Sequence, residues 1–163
     1  MPRRTTAWAG SALLFAGLYL GLPWIAVRVD ATLGWPPLPS ALRWAGAALL
    51  VLGAAGLAWC LSLFARSGGG TPNPIDPPKV LVTSGPFAWT RNPIIGSHAL
   101  AAFGVALLVA SPAMVLFVVA IGAVVPGLVA HEERVLERRF GEAYVRYRDV
   151  VPRWIPRPPR RQS

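Results

Sequence analysis

Gly85-Pro86-Phe87-Ala88-Trp89-Thr90-Arg91-Asn92-Pro93 runs directly into an apolar stretch that ends at His131-Glu132-Glu133. A basic, amphipathic segment follows, Phe140-Gly141-Glu142-Ala143-Tyr144-Val145-Arg146-Tyr147, and then Val151-Pro152-Arg153-Trp154-Ile155-Pro156. Apolar runs alone would mark only a membrane protein. Polar clusters at both ends of such a run point to a site at the water interface of a membrane protein.

Within this stretch, Pro93 to Ala110 and Ala113 to Ala130 are two apolar runs separated by Ser111-Pro112. Each has about 18 residues, near the short end of what a spanning helix needs. Pro126-Gly127 predicts a bend late in the second run. Upstream, Ala7 to Val27 and Ala41 to Ala65 are two more apolar runs, joined by the stiff loop Gly34-Trp35-Pro36-Pro37-Leu38-Pro39-Ser40. Met1-Pro2-Arg3-Arg4 resembles the start of a signal peptide, but the run after it is long enough to span. No small-x-small site clearly follows, so it reads as a retained first helix. In the second run Gly46, Gly53 and Gly56 share one helix face with several alanines, which predicts tight packing on a neighbouring helix. The expected fold is therefore an all-α integral membrane protein. It has about four transmembrane helices and a cytoplasmic amphipathic C-terminal helix. We divide its single membrane domain, residues 1–163, into two N-terminal spans (1–65), a cytoplasmic loop (66–92), a helical hairpin (93–130) and the amphipathic helix with its tail (131–163).

Composition agrees with this layout. Hydrophobic residues make up 54% of the 163 residues and charged residues only 14%, against roughly 25% in a soluble domain. The net charge is +9, nearly all from arginine. These arginines flank apolar runs, which favours lipid headgroups and topology over nucleic acid. With four spans, fourteen of the sixteen basic residues fall on one side and only Arg28 and Arg43 on the other. The positive-inside rule then places both termini and the long loop in the cytoplasm. Cys60 is the only cysteine, so it reads as a small apolar residue, and no intramolecular disulfide or thiolate metal site is available. Residues 66–90, rich in glycine and proline, form a loop without regular helix or central strand.

Three groups of residues can carry chemistry. Glu132 continues the four-residue stripe Glu132, Leu136, Phe140, Tyr144 and is expected to point inward, with Glu133 at the stripe's edge. The pair reads either as interfacial charge capped by arginines or as a carboxylate that receives hydrogen bonds from a ligand. Pro93 suits the first position of a helix and Asn92 its N-cap, a role that needs no ligand. The same helix start, with Arg91 beside it, can instead take a carboxylate or phosphate. His98 and His131 lie on separate runs without metal-ligand spacing, so no metal is expected. No Walker loop, dinucleotide fingerprint or alternating βαβ pattern is present.

Taken in order, Gly-Pro-aromatic-x-x-x-Arg-x-Pro, an apolar hairpin, Glu-Glu-x-x-Leu, Phe-Gly-x-x-Tyr-x-x-Tyr and Val-Pro-x-x-Ile-Pro resemble the isoprenylcysteine carboxyl methyltransferase family. That family is similar in turn to phospholipid N-methyltransferases. The likeness covers about Gly70 to Pro156, and the loop Gly70-Thr71-Pro72-Asn73-Pro74-Ile75-Asp76-Pro77-Pro78 matches bacterial-type members. Asn92 stands where the family usually has histidine, and Ile95 where tyrosine is common. These departures bear on cofactor affinity and substrate choice more than on fold.

The resemblance implies S-adenosylmethionine held at the cytoplasmic face of a bacterial inner membrane, and an amphipathic or lipid-like methyl acceptor among membrane lipids. It implies that Gly85, Pro86 and Gly96 let backbone approach the cofactor, and that Arg91, Asn92 and Pro93 take its carboxylate. Glu132 and Glu133 would hold its hydroxyl or ammonium groups. Phe87, Trp89, Phe140 and Tyr144 would line an adenine pocket, with Tyr147, Arg148 and Arg153 near the acceptor. Tyr147 and Arg153 are the candidates for catalysis. Two other classes fit the residues, a membrane reductase using a nicotinamide cofactor and a non-enzymatic adaptor or small transporter.

Overall fold

Proline and glycine set the element boundaries. The structure, a computed structural model, describes residue 13 and residues 15–67 and 80–158; the expected first turn from Ala7, the Gly70–Pro78 segment and the last five residues lie outside them. All regular structure among the described residues is helical. A π-helical turn, Gly17–Gly21, leads into α1 (Leu22–Leu33), which ends at Gly34 in the left-handed region, φ 66°. α2 (Leu42–Ser67) follows the proline loop. A 3-10 turn, Gly85–Ala88, precedes α3 (Pro93–Leu108) and α4 (Pro112–Phe140), each with proline in its first turn. α5 (Glu142–Val150) is the last helix.

Two expectations change in detail. The first helix does not end near Val27 but continues to Leu33, and Asp30 within it is buried. Its carboxylate accepts from the Ser111 hydroxyl and, at 2.9 Å, from the Ala113 N–H, while Ser111 Oγ accepts from Met114 N–H. Asp30 thus caps a helix more than eighty residues away in the chain and satisfies donors that the start of α4 would otherwise leave bare. The second change is at the other end of α4. The fourth apolar run and the predicted amphipathic segment form one helix as far as Phe140. Gly141, at φ 55° and ψ −133°, then breaks it and starts α5.

α2 and α3 form the tightest pair. A Cβ added to Gly53 would lie 2.5 Å from the backbone nitrogen of Ala101, and one at Gly46 2.8 Å from the carbonyl of Gly104. The glycine face therefore packs within the chain, where it lets two backbones approach. Two described helices, Leu42–Leu63 and Pro112–Phe140, are long and apolar enough to cross a membrane, and Pro93–Leu108 is a shorter apolar helix. Their outward faces carry bare Val51, Leu52, Val119, Val124 and Leu128, all more than half exposed. A core helix of a water-soluble protein would bury that surface, whereas hydrocarbon covers it at no cost.

Candidate functional site

The site is assembled at one end of the bundle from three separated segments. Residues 84–92 enter α3, residues 129–140 form the last turns of α4, and residues 144–157 follow the Gly141 break. Gly85 opens the first segment at φ 60°, and a Cβ there would meet Leu63 at 3.0 Å and the Trp59 ring nitrogen at 3.4 Å. Its freedom thus seats the turn on α2. Phe87 is buried beside Cys60, with Leu63, Val82 and Ile94 around them. The Tyr147 hydroxyl donates to the Phe87 carbonyl at 2.7 Å and ties α5 to this turn. Burial pushes the Tyr147 phenol far above its ordinary value, with the neighbouring Tyr144 adding to the shift, so it remains a donor at any physiological pH.

The chain after α5 crosses back over the 84–92 segment as a strap. Arg91 N–H donates to the Pro152 carbonyl at 2.9 Å, and Arg157 N–H to the Trp89 carbonyl at 3.0 Å. The Arg153 carbonyl accepts from the Thr90 hydroxyl at 2.9 Å and from the Asn92 side-chain amide at 3.1 Å. Asn92 therefore occupies the N-cap position of α3 without capping it, since no side-chain cap bond forms there. Its amide holds the strap instead. Thr90 shares this role, and no sequence signal marked it.

Glu133 lies at the centre. It is buried, and its carboxylate is 2.9 Å from Arg91 Nη1 and 2.5 Å from Arg153 Nη2, with Arg153 Nε donating to its other oxygen at 3.2 Å. Two cations on one buried anion leave the cluster with a net positive charge. Arg91 Nη1 meets Glu133 as an ion pair out of hydrogen-bond line, and Nε has no acceptor among the described residues. The Arg91 guanidinium also reaches the Tyr144 hydroxyl; burial raises that phenol's pKa first, and the Glu133 charge adds to it while Arg91 opposes. Tyr144 and Tyr147 pack with Val151, Leu136 and Phe140.

The predicted orientation of the acidic pair is reversed. Glu133 is buried and Glu132 exposed. A stripe drawn at strict four-residue spacing drifts round the helix, because a turn takes 3.6 residues. The inner face runs instead through Val129, Glu133, Leu136 and Phe140, and Gly141 resets the phase before Tyr144.

Of the expected site residues, Arg91, Tyr144 and Arg153 gather around Glu133, Asn92 reaches the Arg153 carbonyl, and Tyr147 bonds the Phe87 carbonyl. Gly96 is exposed, with nothing within 4 Å of an added Cβ. Arg148 pairs with Glu137 across the α4–α5 break at 2.6 Å. The four aromatic residues expected round adenine do not form one cluster. Trp89 meets Trp59 edge-on at 5.5 Å, Phe87 packs beside Cys60, and Phe140 and Tyr144 lie with α5. His98 is engaged elsewhere, 2.8 Å from the Tyr19 hydroxyl and against the Phe15 ring.

No curated protein and no solved structure matches the chain. The profile described as phospholipid methyltransferase matches residues 41–143, from the start of α2 into α5. The match begins earlier than the motif likeness, includes the glycine-faced helix and covers more than half of the sequence. It spans both Arg91, just before α3, and Glu133 on α4, and on it the chain belongs to the phospholipid methyltransferase family.

Proposed function

We propose that this protein is an S-adenosylmethionine-dependent membrane methyltransferase. It acts on an amphipathic or lipid-like acceptor at the cytoplasmic face of a bacterial inner membrane, from a single domain of four spans with both termini in the cytoplasm. The observation that carries the cofactor reading is Arg91. Its guanidinium is buried in a cluster of net positive charge; Nη1 is ion-paired with Glu133, and Nε has no hydrogen-bond acceptor among the described residues. Such a donor calls for an anion, and the carboxylate of S-adenosylmethionine has the right chemistry.

When bound, S-adenosylmethionine would supply a methyl group on a sulfonium, to whose carbon an acceptor's lone pair would bond in line as the carbon–sulfur bond breaks and the neutral thioether leaves. The chain's residues have to hold the partners and keep water out. Arg91 binds the carboxylate. Glu133 fixes the directions of Arg91 and Arg153, and its own oxygens are occupied in doing so. Glu132, exposed beside it, is the carboxylate free to take the cofactor's ammonium or hydroxyl groups. Tyr147 locks the Phe87 turn, and Thr90 with Asn92 locks the strap that carries Arg153 toward the acceptor.

Thermal unfolding of the detergent-solubilised protein tests this reading. S-adenosylmethionine should raise the melting temperature and NADPH should not, since only a ligand of the folded state stabilises it. Stabilisation by NADPH alone would turn the assignment to a reductase, and a response to neither would leave a non-enzymatic protein.

A further inference from the structure

The strap has a second face, which the site does not use. It is anchored at Arg153 by Thr90 and Asn92 and at Arg157 by the Trp89 carbonyl. Between these anchors Trp154, Ile155 and Pro156 stand exposed, Ile155 at 71%. Their depth is set by a chain of contacts. Trp59 lies in the last turns of the apolar part of α2, Leu42–Leu63, and meets Trp89 edge-on. Trp89 in turn holds Arg157, so the exposed bulge sits level with the end of a span. Arg66, exposed one turn beyond Leu63, and Arg157 bring positive charge to the same rim. Tryptophan with arginine at a span end is the composition of a headgroup-level anchor.

We infer that residues 153–157 dock on the membrane surface through Trp154 and Ile155, take anionic lipid headgroups through Arg66 and Arg157, and thereby make cofactor affinity depend on lipid charge. The coupling runs through Arg153. Its carbonyl is held by the α3 entry and its guanidinium by Glu133, so a strap lifted from the membrane also pulls on the carboxylate that fixes Arg91. This second half rests on the proposed cofactor site; the docking does not.

The full chain is reconstituted in nanodiscs of phosphatidylcholine alone or mixed equally with phosphatidylglycerol, with lipids brominated near the headgroup as quenchers. Part of the tryptophan emission should be quenched in wild type and lost in Trp154→Phe, and S-adenosylmethionine should bind several-fold tighter in the anionic discs. Arg157→Gln, which keeps the backbone bond to Trp89, should shrink that difference about fivefold, the factor equivalent to about 1 kcal/mol for one basic residue at an anionic surface. Ile155→Ser should weaken binding in both discs. An unquenched Trp154 would overturn the docking. Equal affinity in both discs, or the same gain from inorganic phosphate added to phosphatidylcholine discs, would overturn the coupling to lipid charge. Quenching of Trp154 with no cofactor binding in either disc would uphold the docking, overturn the coupling and count separately against the methyltransferase reading.

Discussion

Glu133 is stable in its buried position only while both arginines remain against it. Glu133→Gln leaves two cations facing each other, and breaking a buried pair in this way costs about 3–5 kcal/mol. A large drop in melting temperature and loss of S-adenosylmethionine binding are expected together. Glu132→Gln, on the exposed side of the helix, should change stability by less than about 0.5 kcal/mol. Its effect belongs to ligand affinity, and calorimetric titration with the cofactor would detect it. Arg91→Gln should cost about 1.5–3 kcal/mol of cofactor binding, the range for a hydrogen bond to a charged group. A variant with wild-type affinity would remove Arg91 from the carboxylate site. At Asn92 the side chain serves the strap and not the helix start. Asn92→His keeps a donor that can reach the Arg153 carbonyl and should retain binding, whereas Asn92→Leu should free the strap and weaken it. Limited proteolysis near Arg153 would show this directly: equal cleavage of the leucine variant and wild type would mean that the strap is held without Asn92.

Among the elements, the α2–α3 pair and the Gly141 break decide how the site is assembled. Gly53→Val forces a side chain into the backbone of Ala101, where nothing flexible can move aside. The two helices must separate, which also shifts the α3 entry that carries Arg91. We expect poor folding, seen as aggregation on size-exclusion chromatography in detergent, and a monodisperse peak at wild-type yield would argue against the close approach. Gly141→Ala meets a different obstacle. No neighbour lies within 4 Å of the added Cβ, yet φ 55° with ψ −133° is a conformation open mainly to glycine, so strain of about 1–3 kcal/mol is expected. The lowered melting temperature should come with reduced cofactor affinity, because the break sets where Tyr144 and Tyr147 sit relative to Glu133.

For the whole molecule, the arrangement of basic residues predicts that the end of α2 and the C-terminus lie on the same side. Reporter fusions after Arg66 and after Ser163 should both report cytoplasm. A periplasmic signal from either would sink the four-span arrangement. The sequence alone was enough for the apolar runs, the glycine face of α2, the proline starts of α3 and α4 and the two polar clusters that flank them. Each depends on local composition or on spacing within one helix, which the chain states directly. Tertiary structure alone decided which glutamate is buried, since a 3.6-residue turn leaves two neighbours ambiguous until packing picks a face. It also gave Asn92 and Thr90 their partner on Arg153, some sixty residues on, and made Asp30 the cap of α4. Short polar side chains form these bonds with whatever backbone the fold brings near, so no spacing in the sequence marks them.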